Sequence, residues 1–333
     1  MVYHVEKKFP DDKAFAEKYA NTVIRRDQID LILDHDADVY TADGKLLVKF
    51  RKNALTEKNY KQFYDNVIRF AMNTTSNRGS ASGNMETKDN YKNPKIMTNI
   101  LGYFDKFAPS QKIQMKKRGI KISVPVRETR FLMDYPEEYK KCLPMIQEID
   151  RLYKKHIPEM YKLQKRKADQ TPFHIPKTSF TTITTNVNFQ TTLHTDKGDD
   201  EDGFGNITVI EDGKYTGGET CFLQYGIGAD VRTGDVCFMN VHEWHGNLPM
   251  KFEKDAKRLS VVCYLRRNIW ENTKGKTKKF MEQHNKTVRK LRGPADKDMA
   301  KVAKKEKSFW GGGMVGGEFI FERQISGGCC GCY

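Results

Sequence analysis

Between residues 179 and 268 apolar positions recur at every second residue, and the run is cut at short intervals by Asp-Gly, Gly-Gly and Gly-Asp pairs. Short strands separated by such turns build two-sheet sandwiches, and this rhythm predicts a jelly roll. Strands are expected at 206–210, 219–225, 235–240 and 259–266. A β-branched run from Phe180 to Leu193 is expected to precede them as a further strand.

That run ends on His194-Thr195-Asp196. On a strand, residues two apart face the same side, so His194 and Asp196 are expected to point at one ion. His245 lies ten residues after the Gly234-Asp235 pair, and Arg258 opens another apolar run. Two imidazoles and a carboxylate hold one face of an octahedral Fe(II) and leave three positions for a cosubstrate and O₂. An arginine supplies a fixed cation for the far carboxylate of a 2-oxoacid. A lone His-x-Asp is a weak signal, and His4-Val5-Glu6 is a similar match with nothing downstream to support it. Order and spacing together carry the metal reading. His242 competes with His245 for the distal position. His245 is favoured because His-Gly-Asn-x-Pro resembles the turn after the distal histidine in enzymes of this class. A zinc hydrolase fits less well, since Arg258 has no role there.

A chain of 333 residues, 38% hydrophobic and 11% aromatic, can bury a sizeable core. Its net charge of +15 favours a polyanionic partner, nucleic acid or an anionic membrane surface, although a merely Lys-rich soluble surface gives the same total. No apolar run approaches the roughly 18 residues of a membrane span. The first eight residues lack the apolar stretch of a secretory signal. The cysteines number seven, and Cys142, Cys221, Cys237 and Cys263 stand singly. They read as buried reduced thiols of an intracellular protein, nuclear if the source is eukaryotic.

The fold class expected is α+β: a jelly-roll core with N-terminal helices packed on it and a basic C-terminal helical extension. Four regions follow. Residues 1–135 form a helical and hairpin region integrated with the core, with a helix over 11–33, a hairpin over 38–50 turning at Asp43-Gly44, and a helix over 57–72. Residues 136–268 form the catalytic region and open on a helix interrupted near Pro144 and Pro158. Residues 269–310 form the basic extension. Residues 311–333 form a Gly/Cys-rich tail ending Cys329-Cys330-Gly331-Cys332-Tyr333, expected to be flexible. From 268 to 310 there are 13 Lys/Arg against 5 Asp/Glu. This stretch is expected to grip phosphate; the competing reading is a helix packed on the core with solvated lysines. The acidic run 199–202 reads as a solvated loop turned away from a nucleic acid.

The run from 179 to 266 resembles the TET/JBP family of 2-oxoglutarate- and Fe(II)-dependent nucleic-acid-modifying dioxygenases, on its JBP-like branch. The likeness is carried by Phe189-Gln-Thr-Thr-Leu-His-Thr-Asp-Lys-Gly198, by Gly203-Phe-Gly-Asn-Ile-Thr-Val-Ile210, and by Gly217-Gly-Glu219. It continues in the Gly-Asp and His-Gly-Asn block and in Arg258-Leu-Ser260. Less specific likeness reaches upstream to about residue 40. The resemblance implies a double-stranded β-helix core with His194, Asp196 and His245 on Fe(II). It also implies Arg258 on the distal carboxylate of 2-oxoglutarate, with Ser260 beside it. The implied activity is hydroxylation of the methyl group of thymine or 5-methylcytosine in DNA. The cysteine-rich domain of animal TET proteins is lacking. A base in a duplex must leave the stack to react, and Arg78 and Trp244 are candidate wedges. The alternative is a protein hydroxylase of the prolyl or lysyl type with the same core.

Overall fold

Two eight-residue core strands, Gly205–Asp212 and Lys257–Tyr264, bury most of their positions on both faces. Something must therefore cover each side of the sheet they share. In the computed structural model, which describes residues 1–75, 88–89, 91–93 and 95–291, the chain opens with β1 (Val2–Val5), α1 (Asp12–Tyr19), β2 (Leu31–Leu33), β3 (Ala37–Thr41), β4 (Leu46–Arg51) and α2 (Glu57–Ala71). Next come β5 (Met97–Phe104), α3 (Pro109–Lys117), β6 (Arg127–Glu128), α4 (Arg130–Asp134), α5 (Pro136–His156) and α6 (Pro158–Ala168). Strands then dominate: β7 (Thr182–Val187), β8 (Gly205–Asp212), β9 (Tyr215–Thr216), β10 (Thr220–Phe222), β11 (Ile227–Ala229), β12 (Val236–Met239), β13 (Gly246–Asn247), β14 (Lys251–Phe252) and β15 (Lys257–Tyr264). The helices α7 (Arg267–Thr273) and α8 (Lys278–Arg289) follow.

A nine-stranded sheet runs β1-β3-β4-β12-β8-β15-β7-β5-β6, and a four-stranded sheet runs β13-β10-β11-β2. On one face of the large sheet Ile183, Val187, Leu259, Val261 and Cys263 pack against Phe63 and Val67 of α2 and Met145, Ile149 and Tyr153 of α5. On the other face Ile207, Val209, Cys237 and Met239 meet Phe222, Tyr225, Ile227 and Ala229 from the small sheet and its flanking turn. Two sheets facing across a core, with helices behind the larger one, make an α+β architecture consistent with a double-stranded β-helix.

One buried carboxylate joins the helices to the sheet. Asp150 of α5 accepts from the Ser179 backbone N–H at 2.6 Å, the Ser179 hydroxyl at 2.7 Å and the Tyr161 hydroxyl at 3.0 Å. These bonds fix α5 and α6 where the chain enters β7. Burial raises the Asp150 pKa in spite of them.

The expected hairpin and the helix near 57–72 are present as β3–β4 and α2. Other elements differ from expectation. The first helix stops at Tyr19, and Asn21 then takes a left-handed φ of 61°. Pro144 sits inside an unbroken α5, where packing of Cys142, Met145, Ile146 and Ile149 outweighs the one missing helical bond. The break comes only at Pro158. The strand expected over 219–225 shortens to β10, followed by a single 3₁₀ turn at Leu223–Tyr225 that ends on Gly226 at φ 66°. Cys142, Cys221, Cys237 and Cys263 are free and buried, and burial raises each thiol, Cys142 and Cys237 to about 12. Arg78 and the terminal cysteines lie outside the described residues.

The chain beyond the jelly roll packs back on the body. Ile269 is fully buried among Tyr103, Val124, Val126 and Phe173. The Thr273 hydroxyl bonds that of Thr171 at 2.6 Å, and His284 Nε2 lies 2.6 Å from the Val126 carbonyl. Arg289 forms a bidentate pair with Glu128 at 2.7 and 2.9 Å. Lysines 274, 276, 278, 279 and 286 stay exposed. A chain ending at Asn268 is therefore expected to lose its cooperative thermal transition. Ile269→Ala should cost roughly 2–5 kcal/mol. Circular dichroism melts check both, and a truncated chain melting like its parent would detach this segment from the core.

Candidate metal centre and cavity

The chain leaves the large sheet at Asn188, which takes a left-handed φ of 49°. Its side chain accepts from the Arg258 backbone N–H at 2.7 Å and donates to the Ala256 carbonyl at 2.9 Å. The expectation that the His-x-Asp pair ends a strand is therefore corrected: β7 stops at Val187, and the pair lies on irregular backbone. Cross-links replace the ladder. His194 and His245 exchange two backbone hydrogen bonds, each 2.9 Å, and the Asp196 N–H donates to the Val241 carbonyl at 2.9 Å.

These bonds converge the three side chains. His194 Nε2 lies 3.7 Å from Asp196 Oδ1, and His245 Nε2 lies 3.9 Å from Asp196 Oδ2. One ligand atom from each of the three falls within 4.8 Å of the others. The imidazole Nδ1 atoms face carbonyls, Thr192 at 2.8 Å and Glu243 at 2.9 Å. A carbonyl only accepts, so each Nδ1 carries the proton and each Nε2 turns its lone pair toward the cluster. Burial first, and then the neighbouring His194, push the His245 pKa down to about 4, so its imidazole is neutral near pH 7. The donor set, two imidazoles and a carboxylate, suits Fe(II). His242 turns its Nε2 to the Asp200 carbonyl at 3.2 Å and stands outside the cluster.

The three side chains line a cavity of about 200 Å³ between the sheets, together with Asn186, Thr220, Asn247, Ser260, Tyr264 and Arg266. Ser260 accepts from Asn186 Nδ2 at 3.3 Å. Arg258, two residues earlier on β15, shares the strand face of Ser260. Its guanidinium is buried, donates to the Tyr215 hydroxyl and the Gly218 carbonyl, both at 3.2 Å, and has no ion pair among the described residues. Those two acceptors do not exhaust its five N–H donors. The carbonyl of Gly218 reaches it because Gly217 and Gly218 both take positive φ, near 80°. A Cβ on Gly217 would sit 1.9 Å from the Pro249 carbonyl oxygen.

Half of the acidic run is the expected solvated loop, Glu201 and Asp202 being exposed, and half is not. Asp199 and Asp200 are buried, Lys167 pairs with both Asp200 and Asp202, and Glu201 pairs with Arg267. Burial, and then the Asp196 carboxylate, raise the Asp199 pKa well above the usual range, while Arg266 opposes the shift. Trp244 packs edge-on to Phe15 at 6.2 Å within an aromatic cluster. Asp199, Tyr264 and Arg266 were not singled out from the sequence. The signal for Tyr264 was the alternation along β15, which puts 258, 260, 262 and 264 on one face, and Arg266 follows two residues beyond the strand's end.

The chain is 34% identical over 175 residues to the bifunctional helicase and thymine dioxygenase JBP2 of Trypanosoma cruzi, covering 52% of this chain and 15% of that protein. It is 27% identical over 266 residues to the thymine dioxygenase JBP1 of Trypanosoma brucei brucei, covering 77% of this chain and 29% of that protein. The chain thus spans less than a third of the length of these curated relatives. A solved structure of NgTET1 in complex with 5mC DNA aligns with a TM-score of 0.47 and 13% identity, over 80% of this chain and 92% of that one. Residues 114–267 match the Tet_JBP profile, described as the oxygenase domain of the 2OGFeDO superfamily.

Proposed function

We propose that this chain is an Fe(II)- and 2-oxoglutarate-dependent dioxygenase that hydroxylates the methyl group of a pyrimidine base, thymine or 5-methylcytosine, in DNA. The observation that carries the reading is the convergence of His194, Asp196 and His245 on one cavity wall, with a buried arginine on the adjoining strand face that has no ion pair among the described residues. A buried cation without an anion is costly, and a ligand carboxylate relieves it. The family uses Fe(II) and 2-oxoglutarate, and the curated relatives' names favour thymine as the base. The finer architecture proposed is a double-stranded β-helix with the N-terminal helices packed on it and a basic C-terminal helical extension. An intracellular location, nuclear in a eukaryote, suits a DNA substrate. No helix of the described residues is long and apolar enough to cross a membrane.

In this reading His194, Asp196 and His245 hold the iron. Bound iron with 2-oxoglutarate and O₂ supplies the oxidising power to place a hydroxyl on an unactivated methyl. Arg258 and Ser260 orient the cosubstrate, the arginine by charge-assisted bonds to its far carboxylate. The Thr192 and Glu243 carbonyls keep both imidazoles in the tautomer that offers Nε2. Tyr264 and Arg266 present a ring and fixed donors to the base. The cavity walls exclude other C–H bonds by holding the methyl in place.

The reaction is tested by incubating the protein with Fe(II), 2-oxoglutarate and duplex DNA and analysing the nucleosides by mass spectrometry. A one-oxygen gain on thymidine or 5-methyldeoxycytidine is expected, and hydroxylation of a peptide with none on DNA would favour the protein-hydroxylase alternative. Three variants read the metal set by anaerobic Fe(II) titration. His194→Ala, Asp196→Ala and His245→Ala should each abolish turnover and weaken iron binding, since two donors do not hold Fe(II) on one face. His242→Ala should keep iron, and loss of iron there with retention in His245→Ala would exchange the two roles. Arg258→Ala should leave iron bound and cost roughly 2–5 kcal/mol in 2-oxoglutarate binding. An unchanged KM for 2-oxoglutarate would remove Arg258 from the site.

A further inference from the structure

One edge of the body carries charge of a single sign. From Lys106 to Arg127 there are seven Lys/Arg and no Asp or Glu. Helix α3 lies in this stretch and buries none of its residues. Lys112, Lys116, Lys117, Arg118 and Lys121 are all exposed. Lys112 and Lys116 stand four apart on the helix, where like charges repel and destabilise it. Lys116 and Lys117 oppose the negative end of the helix dipole, which accounts for two of the charges and not for the rest.

A second basic element adjoins the first. From Lys274 to Lys290 there are seven Lys/Arg and a single acid, Glu282. The Arg118 guanidinium donates to the Lys290 carbonyl, and His284 of α8 meets the Val126 carbonyl. Val124 and Val126 share an apolar cluster with Ile269, Phe280 and Met281, so the two basic stretches are held on one foundation. Arg289 is spent on Glu128, and Arg127 on the Lys106 carbonyl. Lysines 112, 116, 117, 121, 278, 279, 286 and 290 have no ion pair among the described residues. Bringing these charges together costs self-repulsion.

The surface begins at the cavity. The Asp105 carboxylate, just before the basic stretch, takes Arg266 through two bonds of 2.8 and 3.1 Å and Asn268 at 2.9 Å. Arg266 lines the cavity. Its guanidinium and that of Arg127 both lie over the Phe104 ring, at 4.7 and 5.6 Å. The basic stretch therefore leaves and rejoins the body beside a residue of the cavity wall.

We infer that α3, residues 118–121 and α8 together grip the sugar–phosphate backbone of duplex DNA next to the cavity. This rests on the nucleic-acid reading of the site. Phosphates spaced along a duplex match several exposed lysines on two adjoining elements, and each contact formed releases counterions. Extruding a base needs such a hold on the flanking backbone.

The test uses the full chain, a fluorescein-labelled 30-base-pair duplex and anisotropy titrations between about 50 and 200 mM salt. The variant carries Lys112→Gln, Lys116→Gln, Lys117→Gln and Lys121→Gln, and a control carries Lys154→Gln and Lys155→Gln, two exposed positions of α5. The parent should bind with a steep dependence of log K on log salt. The four-site variant should bind more weakly, with a slope flatter by about 0.9 for each lost contact, hence roughly 2–4 units. Its melting temperature and its DNA-free consumption of 2-oxoglutarate should match the parent, and the control should match in all respects. A parent that binds with a salt slope the variant shares to within one unit overturns the placement of the grip and leaves the function standing. A parent with no salt-dependent binding overturns both.

Discussion

The reciprocal backbone bonds between His194 and His245 are what the rest of the structure serves. They join stretches fifty residues apart, neither in a regular strand where the histidine sits. His194 follows β7 of the large sheet, while His245 leads directly into β13, which pairs with β10 of the small sheet. The metal set therefore straddles the two sheets, and a slip of one against the other would part the imidazoles. The join is tight: a Cβ on Gly246 would meet the Thr192 carbonyl oxygen at 3.1 Å. That same carbonyl fixes the His194 tautomer, so backbone approach and ligand chemistry are set by one contact.

Much of this was legible in the sequence because it is local. Turn pairs marked the ends of β8, β10 and β12, and the alternation along 257–264 marked β15 with its two-residue step from Arg258 to Ser260. The preference for His245 over His242 came from the residues that follow it, and the structure puts only His245 with the other two. What failed was non-local. Nothing in the run up to His194 shows that Asn188 will adopt positive φ and take the chain off the sheet, because its reward is a bond to residue 258. The buried Asp200 reads as solvent-facing because its partner, Lys167, is distant in sequence. Parallel pairing of β1 with β3 and of β2 with β11 is likewise invisible to a window of ten residues.

Two arginines near the cavity, Arg258 buried and Arg266 partly buried, are solved differently. Arg266 has its anion in Asp105, with Asn268 completing that carboxylate. It is a fixed part of the wall. Among the described residues Arg258 has neutral acceptors, a hydroxyl and a carbonyl. Lysine would serve neither place as well, since a planar fork holds two acceptors and still offers donors to a third. A satisfied arginine keeps its geometry through turnover, whereas an unsatisfied one is stabilised each time a carboxylate arrives.

The same division runs through the charge of the whole chain. Interior charges are few, directed and shielded from solvent, so salt screens them little. The lysines on α3 and α8 are exposed and have no ion pair among the described residues, and their fields fall off within about 10 Å at ordinary ionic strength. Ionic strength thus acts on the outer surface and leaves the Arg258 site nearly untouched. On the function and the DNA grip proposed above, the basic residues divide into two devices: a buried cation suited to a small dianion by geometry, and a screened surface suited to holding a polymer without reading it.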